Sequence, residues 1–250
     1  LTDFLTQLNH LSTTPVWRNH SLLYGQYEEL RPAQIDAIRK AAPIAYIPWG
    51  ALEWHSYHNP IGLDCLKAHG ILLELAKRTG GIIVPPVYIG TDTIKPFKGF
   101  PHTIDFPEEM VKSLAHRFVQ QLADEKFRLI VLYTGHYGGG HLKVLKEVEE
   151  EWNAENKEAR VWFTSDLYLL EGKFEPNHAA WGETSFQLYF DSNLVDLTAL
   201  PEDRTVELDR DGVMGRDPRE ATALGGAEQL EALLENAVPK VKALLEELGV

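Results

Sequence analysis

Glutamate, aspartate and histidine fall together in three short segments, and their spacing could build a metal site. Glu53 and His55 stand two apart, so in extended backbone both side chains leave the same side of the chain. Asp64 follows eleven residues after Glu53, and one carboxylate there could bridge two ions. Imidazole and carboxylate donors together suit zinc or manganese. The rival for this segment is an N-capping aspartate beside a solvated glutamate and histidine. In the second segment, Thr134 to Gly140, His136 is followed by glycines that let backbone approach a ligand closely. A phosphate-cradling loop is disfavoured because no Lys-Ser/Thr pair follows Gly140. A plain strand-to-helix turn containing a histidine stays open. The third segment runs from Asn177 through His178, Trp181 and Glu183 to Ser185. Its rival is a helix cap in which Glu183 complements the helix start. Each segment alone is ambiguous; three on one fold are much less so.

The elements that must position these residues are legible around them. Residues 43–48 are short and apolar, as a strand buried on both faces should be. A helix is expected after Asp64, with Leu66, Ile71, Leu72 and Leu75 before Gly80-Gly81. Residues 82–87 read as a strand up to their prolines, and residues 88–105 as a Gly/Thr/Pro-rich loop. Pro107 sits where a first-turn proline belongs, with Glu108 and Glu109 suited to a helix start. Met110, Leu114, Phe118 and Leu122 recur four apart, which predicts one apolar face. Residues 127–133 form the strongest strand pattern, followed by a helix over about 141–156 and a strand at 160–164. Leu230, Leu234, Val238, Val241 and Leu245 mark a long closing helix. Strands alternating with helices predict a three-layer α/β/α sandwich with a mostly parallel central sheet. In such sheets ligands bind beyond the carboxyl ends of the strands, where both the Glu53–Asp64 and the His136 segments fall.

Without a repeat or linker, residues 1–250 read as one domain. Residues 1–42 read as an N-terminal arm, whose apolar Phe4, Leu5, Leu8, Trp17, Leu22 and Leu23 lack regular periodicity. Such an arm could pack on a neighbouring subunit or on its own domain. Lys and Arg total 24 against 37 Asp and Glu, a net charge of −13. A surface that acidic repels phosphate backbones, so no nucleic-acid partner is expected. No apolar run approaches the ~18 residues of a membrane span, and the first residues lack the pattern of a signal peptide. The single Cys65 permits neither an internal disulfide nor a zinc finger, so a reducing cytoplasm is the expected compartment.

At the three segments the sequence resembles the creatininase (creatinine amidohydrolase) family. The family's first motif, Glu-x-His-Gly-x-His-Leu-Pro-x-x-Thr-Asp, stands here as EWHSYHNPIGLD over residues 53–64. Asn-Gly-His-Gly-Gly-Asn stands as TGHYGG over 134–139, and His-Ala-Gly with Glu-Thr-Ser as HAAWGETS over 178–185. GVMGRDPREAT over 212–222 and FPHT over 100–103 echo two further motifs. The resemblance runs in family order from about residue 43 to 230. It implies an α/β/α fold, a dinuclear centre of zinc or manganese (iron fits the same donors) and a homo-oligomer, often a hexamer. Glu53, Asp64 and His136 would hold one metal. His55, bridging Asp64 and a further glutamate would hold the other. In creatininase that glutamate lies two residues after the loop histidine, where this chain has Gly138; Glu183 is the candidate replacement. His178 matches the histidine that handles protons near the scissile bond. Ser56, Leu63, Thr134 and Gly139 depart from the family pattern without removing a proposed ligand.

The resemblance implies a hydrolase cleaving a C–N bond of a small cyclic amide or formamide by metal-activated hydroxide. Tyr137, Trp54 and Trp181 could wall a flat substrate. Two rival functions are the opening of a keto-cyclitol ring with the same metals and a non-catalytic small-molecule-binding module.

Overall fold

The computed structural model describes residues 16–19, 22–174 and 177–250. Its centre is a six-stranded sheet: β1 (Val16–Asn19), β2 (Leu22–Gln26), β3 (Ile44–Trp49), β4 (Gly81–Ile83), β5 (Leu129–Thr134) and β6 (Arg160–Ser165), in the order β1-β2-β4-β3-β5-β6. All neighbours pair in parallel except β1 with β2. Every residue of β3 and β5 is buried, which is why these two strands read as unbroken apolar runs.

Alternation along the strands divides the core in two. Tyr46, Val131 and Tyr133 face one side, where Ile71, Leu72 and Leu75 of α2 (Leu63–Thr79) and Leu230, Leu233 and Val241 of α9 (Ala223–Glu247) cover them. Between α2 and α9 lies α7 (Trp181–Asp191), contributing Phe186. Ile47, Ile130 and Leu132 face the other side, against α1 (Pro32–Ala41), α4 (Glu108–Asp124) and α5 (Gly139–Glu155). Each fully buried Leu or Ile contributes roughly 1.5–3 kcal/mol. Three short α-helices, α3 (Ile94–Lys98), α6 (Asp166–Leu169) and α8 (Leu208–Asp211), and four single 3-10 turns complete the elements of the described residues. The fold is the expected α/β/α sandwich.

Three local expectations change. Residues 22–42 build β2 and α1, and Tyr24 and Ile38 lie in the core, so this stretch belongs to the chain's own domain. Leu22 and Leu23 sit in β2, Trp17 in β1, and Phe4, Leu5 and Leu8 lie outside the described residues. On α4 the buried stripe is Val111, Ala115, Val119 and Leu122, while Met110 is 50% exposed. A smaller valine and alanine fit close against the sheet, and the larger Leu114 and Phe118 pack at the margin. Pro107 is the N-cap of that helix rather than part of its first turn.

Candidate metal centre

β3 and β5 are neighbours in register, with Trp49 opposite Thr134, so the loops leaving their carboxyl ends open side by side. Between them sits the first turn of α2, carrying Asp64. A Cβ on Gly135 would lie 2.2 Å from the Asp64 carbonyl oxygen, so only glycine lets this turn seat against the tip of β5. Asp64 makes no capping bond to its helix. Instead its Oδ2 accepts the Ala51 N–H at 3.2 Å, and the carboxylate faces two histidines. That removes the N-cap reading.

Glu53, Asp64 and His136 form one triad. His136 Nδ1 lies 2.7 Å from Glu53 Oε1 and 3.3 Å from Asp64 Oδ2, while its Nε2–H donates to the Thr91 carbonyl at 3.0 Å. Glu53 Oε2 accepts the Ile94 N–H at 2.8 Å. The histidine ring is therefore oriented from behind, with the opposite nitrogen turned to the carboxylates, as metal-ligating imidazoles usually are.

His55, Asp64 and Glu183 form a second triad. His55 Nδ1–H donates to the Glu53 carbonyl at 3.1 Å, leaving Nε2 3.1 Å from Asp64 Oδ1 and 3.6 Å from Glu183 Oε2. Glu183 enters from the first turn of α7. Its Oε2 accepts the Ala179 N–H at 2.8 Å, so the capping reading also holds, alongside the contact with His55. Within each triad, the ligand atoms lie within 4.8 Å of one another, and every residue is buried. Asp64 is common to both. A third grouping, Glu53, His55 and His178, overlaps them.

The electrostatics describe a site that wants positive charge. Burial opposes a charge on His55, but Asp64, then Glu183 and Glu53, override it and lift its pKa to about 9. Burial likewise opposes charge on His136, and Glu53 with Asp64 raises it well above the usual imidazole value. Burial would raise Asp64, yet His55 and His136 hold it well below the carboxylate range. His178 goes the other way, lowered by burial and by neighbouring His55. Its Nε2–H donates to the Trp54 carbonyl at 2.7 Å, and Nδ1 lies 3.8 Å from Glu53 Oε1.

A cavity of about 260 Å³ opens over this floor. Ile94, Phe97, Leu208 and Met214 form an apolar side, and Asp92, Tyr137, Gly138 and Gly139 line it as well. Of the three aromatic residues expected around a substrate, the structure brings only Tyr137 to the cavity. Trp54 points away because it alternates with Glu53 and His55. Its ring stacks on Phe100 and its Nε1–H donates to the Asp211 carbonyl. Trp181 begins α7 two residues before Glu183, about 200° around the helix. It lines a separate recess, stacked on Phe174 under Arg216. The remaining motifs also hold the site's backbone, and the 212–222 motif brings Met214 to the cavity. Thr103 Oγ1 accepts the Trp54 N–H, and the Met214 N–H donates to the His178 carbonyl.

Sequence reasoning missed Lys67 and Asp166. Lys67 Nζ, fully buried, lies 2.8 Å from Glu183 Oε1, 3.0 Å from Asp166 Oδ2 and 2.5 Å from the Tyr137 hydroxyl. Tyr137 in turn donates to Asp166. A signal existed: Lys67 follows Asp64 by three residues and precedes Ile71 by four, on the face of α2 that turns inward. A lysine there demands a buried counter-charge.

Comparisons with known proteins place the chain in a family. The family model described as creatinine amidohydrolase (Creatininase) matches residues 28–241. The chain belongs to the creatininase family. It is 27% identical over 97 residues to the creatinine amidohydrolase of Pseudomonas putida, a stretch spanning 38% of this chain and 37% of that relative's length. A crystal structure of creatinine amidohydrolase superposes with a TM-score of 0.73 at 20% identity, covering 90% of this chain and 98% of that one. A structure titled "Creatininase Mn" gives 0.71 at 21% identity, covering 90% and 99%. A putative creatinine amidohydrolase from Bacteroides fragilis gives 0.71 at 19%, covering 88% and 95%. These structural likenesses establish the creatininase fold.

The donor set fits divalent cations. His55 Nε2 is buried and turned to the Asp64 and Glu183 carboxylates at 3.1 and 3.6 Å without a well-aligned hydrogen bond to either, the disposition of a nitrogen that shares a cation with them. Gly138 fits the same picture from the negative side. A Cβ there would lie 2.3 Å from the Asp92 carbonyl oxygen and 2.7 Å from His136 Nε2, so this loop cannot carry a side chain at that position.

Proposed function

We propose that this creatininase-family chain is a dinuclear metal-dependent hydrolase that cleaves a C–N bond of a small amide. The observation that carries the reading is the pair of buried triads sharing Asp64, Glu53–Asp64–His136 and His55–Asp64–Glu183. Zinc and manganese are the metals that these donors suit, and one creatininase structure of similar fold is titled Mn and another Zn-Zn type. Two such ions, when bound, would supply Lewis-acid chemistry, activating a water as nucleophile near neutral pH and polarising a carbonyl.

The chain's own residues divide the remaining work. Glu53, His55, Asp64, His136 and Glu183 are the ligands, each oriented by a hydrogen bond to backbone. His178 is the proton carrier: its Nε2–H is committed to the Trp54 carbonyl, so the uncharged ring offers a bare Nδ1 to the site. That atom takes a proton as the nucleophile forms and gives it to the departing nitrogen. Tyr137, on the cavity wall, helps to bound the substrate. The apolar side made by Ile94, Phe97, Leu208 and Met214 suits an amide better than the many hydroxyls of a cyclitol. A cavity of about 260 Å³ restricts the substrate to a small molecule.

The test is a hydrolysis screen of zinc- or manganese-loaded protein against cyclic ureides, formamidopyrimidines and keto-cyclitols. Amide hydrolysis that a chelator abolishes and added metal restores is the expected result. Ring opening of keto-cyclitols alone would replace the amide reading. Metal binding without turnover of any of them would leave a binding module.

A further inference from the structure

The second triad draws its carboxylate from a different element than the loop that supplies His136, and that carboxylate is not free. Glu183 has four directions of attachment in the structure. Oε1 accepts from Lys67 Nζ at 2.8 Å, Oε2 accepts the Ala179 N–H at 2.8 Å, and Oε2 also stands 3.6 Å from His55 Nε2. The fourth is the helix itself, since Glu183 lies in the first turn of α7. A glutamate has three rotatable bonds before its carboxylate, and losing that freedom is costly unless something holds it. Lys67 does so from a fully buried position on α2. The lysine is itself held by Asp166 at 3.0 Å and by the Tyr137 hydroxyl at 2.5 Å. Asp166 directly follows β6, and Tyr137 directly follows His136. Two strand-end segments and the helix α2 thus converge behind one carboxylate.

We infer that Lys67 is a positioning residue for the second metal site, clamping Glu183 Oε1 so that Oε2 alone is presented toward His55 and Asp64. The clamp, with Asp166 and Tyr137, is what allows α7 to supply the ligand that Gly138 cannot. An unclamped glutamate could turn both oxygens toward the site or swing away from it. The Lys67–Asp166 pair also carries no net charge, so it orients Glu183 without cancelling the negative floor that attracts cations. Lys67 and Asp166 Oδ2 are bonded within a buried polar network, of the kind that specifies one geometry, while Asp166 Oδ1 has no partner.

This inference rests on the dinuclear reading, and its test separates the two. Lys67→Met/Asp166→Asn removes both charges together, so the potential over the triads changes little while Glu183 loses its clamp. Ion stoichiometry and affinities are measured by chelator competition with zinc, and Co²⁺ substitution reports the coordination of each site by its visible absorption. Circular dichroism and thermal unfolding establish that each variant is folded. Wild-type protein that binds fewer than two ions contradicts the dinuclear reading itself. With two ions in the wild type, the double variant should keep the first at unchanged affinity and bind the second at least ~10-fold more weakly, with an altered Co²⁺ spectrum for that site only. Two ions at wild-type affinity, or equal weakening of both, overturns the positioning role. Should the double variant not fold, Lys67→Arg decides. It keeps the positive charge but moves the donors, so the second ion alone should weaken several-fold with an altered Co²⁺ spectrum, and unchanged affinity and spectrum overturn the inference.

Discussion

At the scale of single residues, the account turns on Asp64 and on how the triads differ around it. Asp64→Asn should release both ions and abolish turnover, because its two oxygens face His55 and His136 separately. Glu53→Gln should weaken mainly the ion held with His136. Calorimetric titration of the two variants with zinc checks the contrast; full occupancy in Asp64→Asn would remove the bridge. His178→Ala should keep both ions and slow turnover by ~10²–10⁴-fold, the usual value of a proton-transfer group. Much of this was legible in the sequence, since metal ligands must be His, Asp or Glu and the motif spacing is tight. Trp54 and Trp181 were misplaced because residue type says nothing of direction. The neighbours of Trp54 in an extended segment and the helical phase of Trp181 send both rings elsewhere. The helical phase of Lys67 turns it inward with Asp64 and Ile71, but its partners Asp166 and Glu183 lie about a hundred residues away in sequence and only the fold brings them to it.

At the scale of elements, the site depends on α2 seating its first turn between the ends of β3 and β5. Gly135→Ala places a methyl group 2.2 Å from the Asp64 carbonyl oxygen, so that turn must shift. The expected cost is ~1–3 kcal/mol of stability, with weaker binding of both ions rather than one. Denaturant unfolding and metal titration read the two effects separately, and unchanged affinity for both ions would mean that the seating is unimportant. The helix α4 shows where sequence patterning stops. A four-residue repeat marks a helix correctly, but the bulky residues at 110, 114 and 118 sit beside the contact line that smaller Val111, Ala115 and Val119 occupy. Which stripe touches the sheet is decided by how closely the helix must approach. The strand β2 was hidden for a related reason: it lies near the sheet's margin and is only partly buried, so its apolar pattern is diluted.

At the scale of the whole molecule, the buried negative floor links metal binding to stability. Ions that bind only the folded chain add RT ln(1 + [L]/Kd), or ~2.7 kcal/mol at a hundredfold excess over Kd. Removing metal with a chelator should lower the melting temperature by several degrees, reversibly on adding zinc. A melting temperature indifferent to chelation would contradict a metal-filled core. Among the described residues no helix is long and apolar enough to cross a membrane. The central claim is that two ions share Asp64 and that Glu183 completes the second site. Elemental analysis of purified wild-type and Glu183→Gln protein, each saturated with zinc and desalted, tests it most directly. Close to two ions per wild-type chain and close to one in the variant are expected. Two tightly held ions in Glu183→Gln, or fewer than two in the wild type, would contradict it.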